Sequence, residues 1–115
     1  MRVIIAGGRD FDDYPLLKEK CNYFLSKREG VIVISGGAKG TDALGERYAR
    51  EMEFPVVVVP AEWARYGNSA GVLRNRQMAE TADVLIAFWD GESPGTRNMI
   101  HEMKRIGKPL RIVRY

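Results

Sequence analysis

The residues best suited to chemistry lie in one stretch, residues 35–42, which reads Ser-Gly-Gly-Ala-Lys-Gly-Thr-Asp. An apolar run at residues 31–34 precedes it, and a helical pattern that begins near Ala43 follows it. Backbone N–H groups of a glycine-rich turn beside a helix N-terminus form a pocket for anions. The stretch therefore predicts a loop that binds phosphate or carboxylate groups. The alternative is a turn that only lets a strand pass into a helix.

Two familiar phosphate loops are excluded by the spacing of these residues. A P-loop has its lysine directly after the last glycine, whereas Lys39 precedes Gly40 here. A dinucleotide fingerprint has one residue between its first two glycines, whereas Gly36 and Gly37 are adjacent. The sequence therefore does not support triphosphate hydrolysis of the P-loop type.

Arginines near the other apolar runs are candidates for holding an anion. Arg9 follows the first run and Arg74 lies in a helical segment after a long polar loop at residues 62–69. The planar guanidinium of arginine recognises phosphate or carboxylate through two parallel hydrogen bonds. The alternative is a surface salt bridge to a nearby carboxylate, the candidates being Asp10, Asp12 and Glu80.

Carboxylates in the same loops provide candidates for catalysis, and we predict Asp42, Glu62 and Asp90 as catalytic residues, with Asp10 and Glu92 also available. Hydrolysis of an N-glycosidic bond needs one carboxylate to activate water or stabilise positive charge, with a second group assisting the leaving base. Asp42 has three other roles open to it: capping a helix, accepting a ribose hydroxyl, or holding a metal. In the long loop, Trp63 and Tyr66 are suited either to stacking on a base or to covering the core.

Composition limits the class of protein. The chain of 115 residues has 45% hydrophobic and 29% charged residues, which predicts one soluble domain spanning residues 1–115. Its net charge of +3 is spread along the chain, which is a weak signal for DNA binding. The lone cysteine, Cys21, excludes an intrachain disulfide and a multi-cysteine zinc site and is expected in the core. No membrane-spanning or signal-peptide pattern is visible, so we expect a cytoplasmic location.

Five short apolar runs, at residues 3–6, 31–34, 56–59, 84–88 and 110–113, alternate with helical patterns. This alternation predicts an α/β fold, a single three-layer Rossmann-like domain with a five-stranded mainly parallel sheet. The β-branched run at residues 56–59 is typical of a strand covered on both faces. Ligands of such sheets bind at the carboxyl ends of the strands, so we expect residues 7–10, 35–42, 62–69 and 90–96 to meet at one rim.

The ordered set of motifs resembles the SLOG superfamily, which contains the LOG cytokinin-activating phosphoribohydrolases and the DNA-processing protein DprA. More narrowly, the chain is similar to small bacterial and phage proteins of the YspA (DUF2493) type. The motifs that carry the resemblance are Ala-Gly-Gly-Arg-Asp at 6–10, the stretch at 35–42, Ala-Glu-Trp at 61–63, Ala-Gly at 70–71, Arg-Asn at 74–75 and Asp-Gly-Glu-Ser-Pro-Gly-Thr at 90–96.

The resemblance implies binding of a nucleotide or a nucleotide-derived ligand. We predict no further cofactor and no metal. The alternatives that the resemblance leaves open are LOG-like hydrolysis of a nucleoside monophosphate and DprA-like binding of single-stranded DNA. Two departures bear on them: Arg97 stands where LOG enzymes have a glutamate, and Glu46 stands where DprA has a histidine. Relatives in this superfamily commonly pair through helices, which implies a homo-oligomer, and no membrane partner is expected.

The predicted ligand-binding residues are Gly7, Gly8, Arg9, Asp10, Ser35, Gly36, Gly37, Ala38, Lys39, Gly40, Thr41, Asp42, Trp63, Arg74, Asn75, Asp90, Gly91, Ser93, Gly95 and Thr96.

Overall fold

The computed structural model describes residues 1–115, and at least one helix separates each strand from the next along the chain. The strands are β1 (Arg2–Gly7), β2 (Ile32–Ser35), β3 (Val56–Val58), β4 (Val84–Trp89) and β5 (Leu110–Arg114). The helices are α1 (Tyr14–Leu25), α2 (Thr41–Glu51), α3 (Trp63–Tyr66), α4 (Ala70–Thr81) and α5 (Pro94–Arg105). A 3₁₀ turn, Gly67–Ser69, joins α3 to α4.

The five strands form one parallel sheet in the order β3-β2-β1-β4-β5. The chain runs outward from β1 to β3 and then returns to the other side of β1, so the strand order reverses between β1 and β4. This architecture confirms the predicted Rossmann-like α/β fold. The reversal also marks where a ligand crevice is expected in such a sheet, outside the carboxyl ends of β1 and β4.

Alternate residues of the central strands enter two separate cores. Val3 and Ile5 of β1 pack with Leu17 of α1 and Tyr48 of α2, on one face of the sheet. Ile4 and Ala6 belong to the other core, which α4 and α5 cover through Met78, Ala79, Met99 and Met103. Because side chains alternate along a strand, both faces of β1 are buried and the protein has three layers. Cys21 is fully buried in the first core, as predicted.

The prediction that residues 56–59 form a strand covered on both faces is wrong. β3 is the edge strand, paired only with β2, and Val57 and Val58 are each 48% exposed. A run of β-branched residues indicates that the segment extends as a strand, but burial depends on its position in the sheet.

Several boundaries also differ from the sequence pattern. α2 begins at Thr41 rather than near Ala43, and α5 begins at Pro94 rather than near Arg97. Proline suits the first turn of a helix because the N–H it lacks would have no partner there. The long loop at residues 62–69 is partly helical, since α3 and the 3₁₀ turn occupy it. None of the helices has the length and apolar character needed to cross a membrane.

The ammonium group of Lys108 closes the carboxyl end of α4. Its Nζ donates to the carbonyl oxygens of Ala79, Glu80 and Ala82 at 2.8, 2.9 and 2.7 Å. We expect Lys108→Met to lower the free energy of unfolding by about 2 kcal/mol, because these carbonyls lose a charged donor. Urea unfolding measures the change, and Lys104→Met, an exposed lysine of α5, is the control. Equal stability of the two variants would show that the three hydrogen bonds contribute nothing.

Candidate functional site

A cavity of about 630 Å³ opens where the strand order reverses, beside the carboxyl ends of β1 and β4. That volume lies within the range of small-molecule sites. Its walls come from the loop after β1, the start of α2, α3, α4 and the start of α5. The lining residues are Ala6, Gly7, Gly8, Arg9, Asp10, Ala38, Asp42, Trp63, Asn68, Gly71, Val72, Arg74, Asn75, Met78, Ser93, Pro94, Gly95, Thr96, Asn98 and Met99. We refer to it as the first cavity.

The loop after β1 is joined directly to the start of α2. The carbonyl oxygen of Gly8 accepts hydrogen bonds from the backbone N–H and the hydroxyl of Thr41, at 3.2 and 3.0 Å. Gly40 has φ +71°, and a Cβ at Gly40 would lie 2.5 Å from the carbonyl oxygens of Gly8 and Arg9. The two glycine-rich loops therefore approach each other so closely that only glycine fits at residue 40. Gly40 and Thr41 line neither this cavity nor the second one described below.

Three polar side chains of the stretch at 35–42, those of Ser35, Thr41 and Asp42, are engaged within the protein. The hydroxyl of buried Ser35 donates to Glu46 at 2.7 Å and accepts from the N–H of Gly37 at 3.1 Å. The Asp42 carboxylate accepts from the N–H of Ala38 at 3.1 Å. These bonds hold the loop in one conformation. Ser35, which the sequence predicted to bind ligand, thus shapes the loop and does not line a cavity.

Arg74 connects α4 to this loop. Its Nη1 donates to the carbonyl oxygen of Gly36 at 2.7 Å, and its Nε donates to the Asn75 side chain at 3.1 Å. Burial lowers the pKa of the guanidinium, the nearby Asp42 carboxylate opposes that shift, and the positive charge of Arg9 adds to it. Neither Arg9 nor Arg74 forms a salt bridge, which was the alternative role for both. Both arginines line the cavity.

Asp42 is the most buried carboxylate of the site, with 7% of its surface exposed. Burial raises its pKa above the ordinary value, while the N–H of Ala38 and the charges of Arg74 and Arg9 act in the opposite direction. Asp42 therefore retains its proton to higher pH than a solvent-exposed aspartate does. The only other carboxylate that lines the first cavity is Asp10, whose Oδ1 accepts from the hydroxyl of Tyr115 at 3.1 Å.

The first turn of α5 forms the opposite wall. Asn75 of α4 positions this turn, since its Nδ2 donates to the carbonyl of Gly95 at 3.3 Å and to the side chain of Asn98 at 2.8 Å. A Cβ added to Gly95 would meet no atom within 4 Å, and Gly95 does not have a positive φ. Neither packing nor backbone conformation therefore requires glycine at this position. Its missing side chain instead leaves the N-terminus of α5 accessible from the cavity.

Two of the three predicted catalytic residues do not line this cavity. Glu62 is exposed beside α3. The Asp90 carboxylate accepts from the backbone N–H groups of Ser93 and Glu92, each at 2.8 Å, and these bonds lower its pKa. Asp90 thus orders the loop that leads into α5, and the adjacent Gly91 packs against Arg114. A catalytic role for Glu62 or Asp90 stays a prediction.

The sequence interpretation missed eight lining residues, of which three, Gly71, Val72 and Met78, lie on α4. Gly71, Arg74, Asn75 and Met78 all line the cavity, and their spacing of three, four and seven residues places them on one helical face. Only Arg74 and Asn75 were predicted. The helical spacing, applied outward from Arg74, would have found the other two. Asn98 and Met99 of α5 were also missed.

A second cavity, of about 590 Å³, adjoins the first on the side of β3. Four residues line both cavities: Arg9, Ala38, Trp63 and Arg74. The remaining walls of the second cavity are Gly36, Gly37, Lys39, Val58, Pro60 and Ala61. Trp63 is 52% exposed, so its indole does not cover the core, which was one of its two expected roles.

Comparison with known proteins gives both a family and a fold. The family model described as YspA, cpYpsA-related SLOG family matches residues 1–66. The Gene 61 protein of Mycobacterium phage D29 is 36% identical over 116 aligned positions, which cover 95% of this chain and 93% of the phage protein.

Two solved structures share the fold. DNA processing protein A from Helicobacter pylori, described for its single-stranded DNA binding mode, superposes with a TM-score of 0.71 at 17% identity. The superposition covers 97% of this chain but 64% of that protein, so this chain spans less than two thirds of its length. The structural-genomics target TM1055 superposes with a TM-score of 0.69 at 23% identity, covering 95% of this chain and 71% of that one.

Proposed function

The chain belongs to the YspA, cpYpsA-related SLOG family, and from that premise we propose that it binds a nucleotide or a nucleotide-derived ligand in the first cavity. The observation that carries the proposal is that the accessible first turn of α5 lines the same cavity as Arg9 and Arg74. A helix N-terminus attracts anions through its N–H groups and its dipole, and arginine adds charge-assisted hydrogen bonds. Together they suit a phosphate.

The rest of the cavity suits a nucleoside. Asp42 and Asp10 provide carboxyl oxygens that can accept hydrogen bonds from ribose hydroxyls. Met78, Met99 and Trp63 supply apolar and aromatic surface for a planar base. Carboxylates repel phosphate, so we place the sugar near them and the phosphate near α5 and the arginines.

Isothermal titration calorimetry tests this proposal. Purified protein is titrated with adenosine and guanosine 5′-monophosphates and diphosphates, NAD and ADP-ribose, with adenosine and inorganic phosphate as partial ligands. We expect binding by at least one nucleotide and weaker binding by either partial ligand. Absence of heat across the whole set, at protein concentrations that detect millimolar affinity, would reject the proposal.

Gly95→Ala provides a prediction in which stability and binding change in opposite directions. The methyl group would occupy the open space at the start of α5, so nucleotide affinity should fall about tenfold, or about 1.4 kcal/mol. Stability should rise by about 0.5 kcal/mol, because alanine favours the helix more than glycine does. Calorimetry and urea unfolding measure the two changes.

The matched control for Gly95→Ala is Gln77→Ala, which adds a helix former on the exposed face of α4 outside both cavities. Its nucleotide affinity should equal that of the unaltered protein. If Gly95→Ala left the nucleotide affinity unchanged, the proposal that the phosphate binds at the N-terminus of α5 would be rejected.

A second candidate function, hydrolysis of the N-glycosidic bond of a nucleoside monophosphate, is favoured by the burial and raised pKa of Asp42. The raised pKa shifts the Asp42 carboxyl toward its protonated form, which is the form that can donate a proton to the departing base. Asp10, the other carboxylate of the cavity, would activate the water that adds to the ribose carbon. The bond between ribose and base breaks, and ribose phosphate and free base are released.

Chromatography of nucleoside monophosphates incubated with the protein measures release of free base. We expect Asp42→Asn to abolish release, and a loss of release in Glu62→Gln would extend the catalytic role to a carboxylate that lies outside the cavity. If concentrated protein releases no base, the protein binds its nucleotide without cutting it.

A further inference from the structure

The two adjoining cavities differ in charge. The first is lined by two arginines, Arg9 and Arg74, and by two aspartates, Asp10 and Asp42. The second is lined by the same arginines and by Lys39, and no carboxylate lines it. Asp42 lies near the two shared arginines, so the charge that distinguishes the second cavity is that of Lys39. A further cationic side chain with no lining carboxylate favours anions in the second cavity.

Lys39 belongs to the second cavity alone. It is exposed, forms no salt bridge, and is absent from the walls of the first cavity. The loop that carries it is held by the bonds from Ala38 to Asp42 and from Arg74 to Gly36. These hydrogen bonds hold the backbone around Lys39 in position without a ligand.

The second cavity also offers surface for more than a phosphate. Val58, Pro60 and Ala61 line its outer side, and the half-exposed indole of Trp63 stands at its boundary with the first cavity. An exposed tryptophan beside cationic side chains suits a sugar or base that is attached to a phosphate. A lone anion would leave this apolar surface uncovered.

We infer that the ligand of this protein is bipartite: one nucleotide unit occupies the first cavity, and a second unit, joined through phosphate, occupies the second cavity. Arg9 and Arg74, which line both cavities, contact the connecting phosphates. The inference rests on the proposed function and adds a ligand class to it. The shared chemistry is two units linked by phosphate, as in a pyrophosphate-linked dinucleotide or in a step of a single-stranded nucleic acid.

Calorimetry with a graded ligand set tests this inference. The ligands are AMP, ADP-ribose, NAD, the 3′–5′-linked dinucleotide pApA, and a ten-nucleotide single strand of deoxyadenylate. We expect one of the linked ligands to bind at least tenfold more tightly than AMP. Preference for ADP-ribose or NAD identifies a pyrophosphate-linked small molecule, and preference for pApA or the oligonucleotide identifies a nucleic acid.

Lys39→Gln tests whether the second cavity is responsible. We expect the preferred linked ligand to lose about fivefold in affinity, while AMP binds as before. Lys27→Gln, which changes an exposed lysine outside both cavities, should alter neither affinity.

The outcomes separate this inference from the proposal beneath it. If AMP binds and no linked ligand binds more tightly, the bipartite ligand is overturned and the nucleotide site stands. If Lys39→Gln weakens AMP and the linked ligand equally, the second cavity is not a separate subsite and the inference again fails. If no nucleotide binds at all, the proposed function fails together with it.

Discussion

Replacing Arg74 by alanine is expected to weaken nucleotide binding roughly 100-fold, or about 2.7 kcal/mol. Arg74 lines both cavities, and a charge-assisted hydrogen bond from its guanidinium to an anion would contribute about 1.5–3 kcal/mol. Arg74 also holds the loop at 35–42 through the carbonyl of Gly36 at 2.7 Å. The substitution thus removes a phosphate contact and loosens a cavity wall. Calorimetry with the tightest-binding nucleotide measures the loss.

Two further variants show which property of Arg74 is responsible. Arg74→Lys keeps the charge but loses the planar fork, so an intermediate affinity is expected. Arg50→Ala, an exposed arginine near the far end of α2, should bind as the unaltered protein does. Circular dichroism checks that each variant is folded. If a folded Arg74→Ala protein bound nucleotide as tightly as Arg50→Ala, Arg74 would have no part in the site.

Gly40→Ala is expected to lower the free energy of unfolding by about 4 kcal/mol, a large part of the 5–15 kcal/mol typical of a small domain. The residue has φ +71° and ψ −123°, a backbone conformation that is open almost only to glycine. Its Cβ would also lie 2.5 Å from the carbonyl oxygens of Gly8 and Arg9. The loops at residues 7–10 and 35–42 would have to separate, with loss of the hydrogen bonds between Thr41 and Gly8.

Urea unfolding compares Gly40→Ala with Gly95→Ala. Gly95→Ala adds the same methyl group at a position where no atom lies within 4 Å of it. We expect the midpoint to fall in the first variant and to rise slightly in the second. Similar midpoints would mean that the approach of the two loops is not what requires glycine at residue 40. Nucleotide binding by Gly40→Ala should also be weak, because the loops that line both cavities move apart.

Much of the scaffold could be predicted because its signals are local. The helical segment that the sequence predicted around Arg74, after the long polar loop, is α4 in the structure, because helical patterns act within a few turns. The alternation of strands and helices led to the parallel sheet, because a right-handed crossover between parallel strands is nearly obligatory. The meeting of the polar loops at one rim followed from the parallel sheet, because the carboxyl ends of parallel strands lie at the same edge.

The sequence could not show whether an individual polar residue binds ligand or forms hydrogen bonds within the protein. Ser35, Thr41 and Asp90 occupy the expected loops, yet each makes its hydrogen bonds inside the protein, to Glu46, Gly8 and the backbone of residues 92 and 93. Whether a hydroxyl or carboxylate is engaged depends on the partners that the fold brings near, and those of Ser35 and Thr41 are distant in the chain. Glu62 likewise follows a strand but lies outside both cavities.

The amino-acid sequence by itself determined the order of the elements, the α/β class, and the rim at which chemistry is concentrated. Only the tertiary structure decided that residues 56–58 form a half-exposed edge strand, that Asp42 is buried beside two arginines, and that a second cavity without carboxylates adjoins the first. The physical reason is the distance along the chain over which each kind of interaction acts. Periodicity and turn chemistry act over a few residues, whereas burial, charge balance and cavity shape arise between segments that meet only after folding.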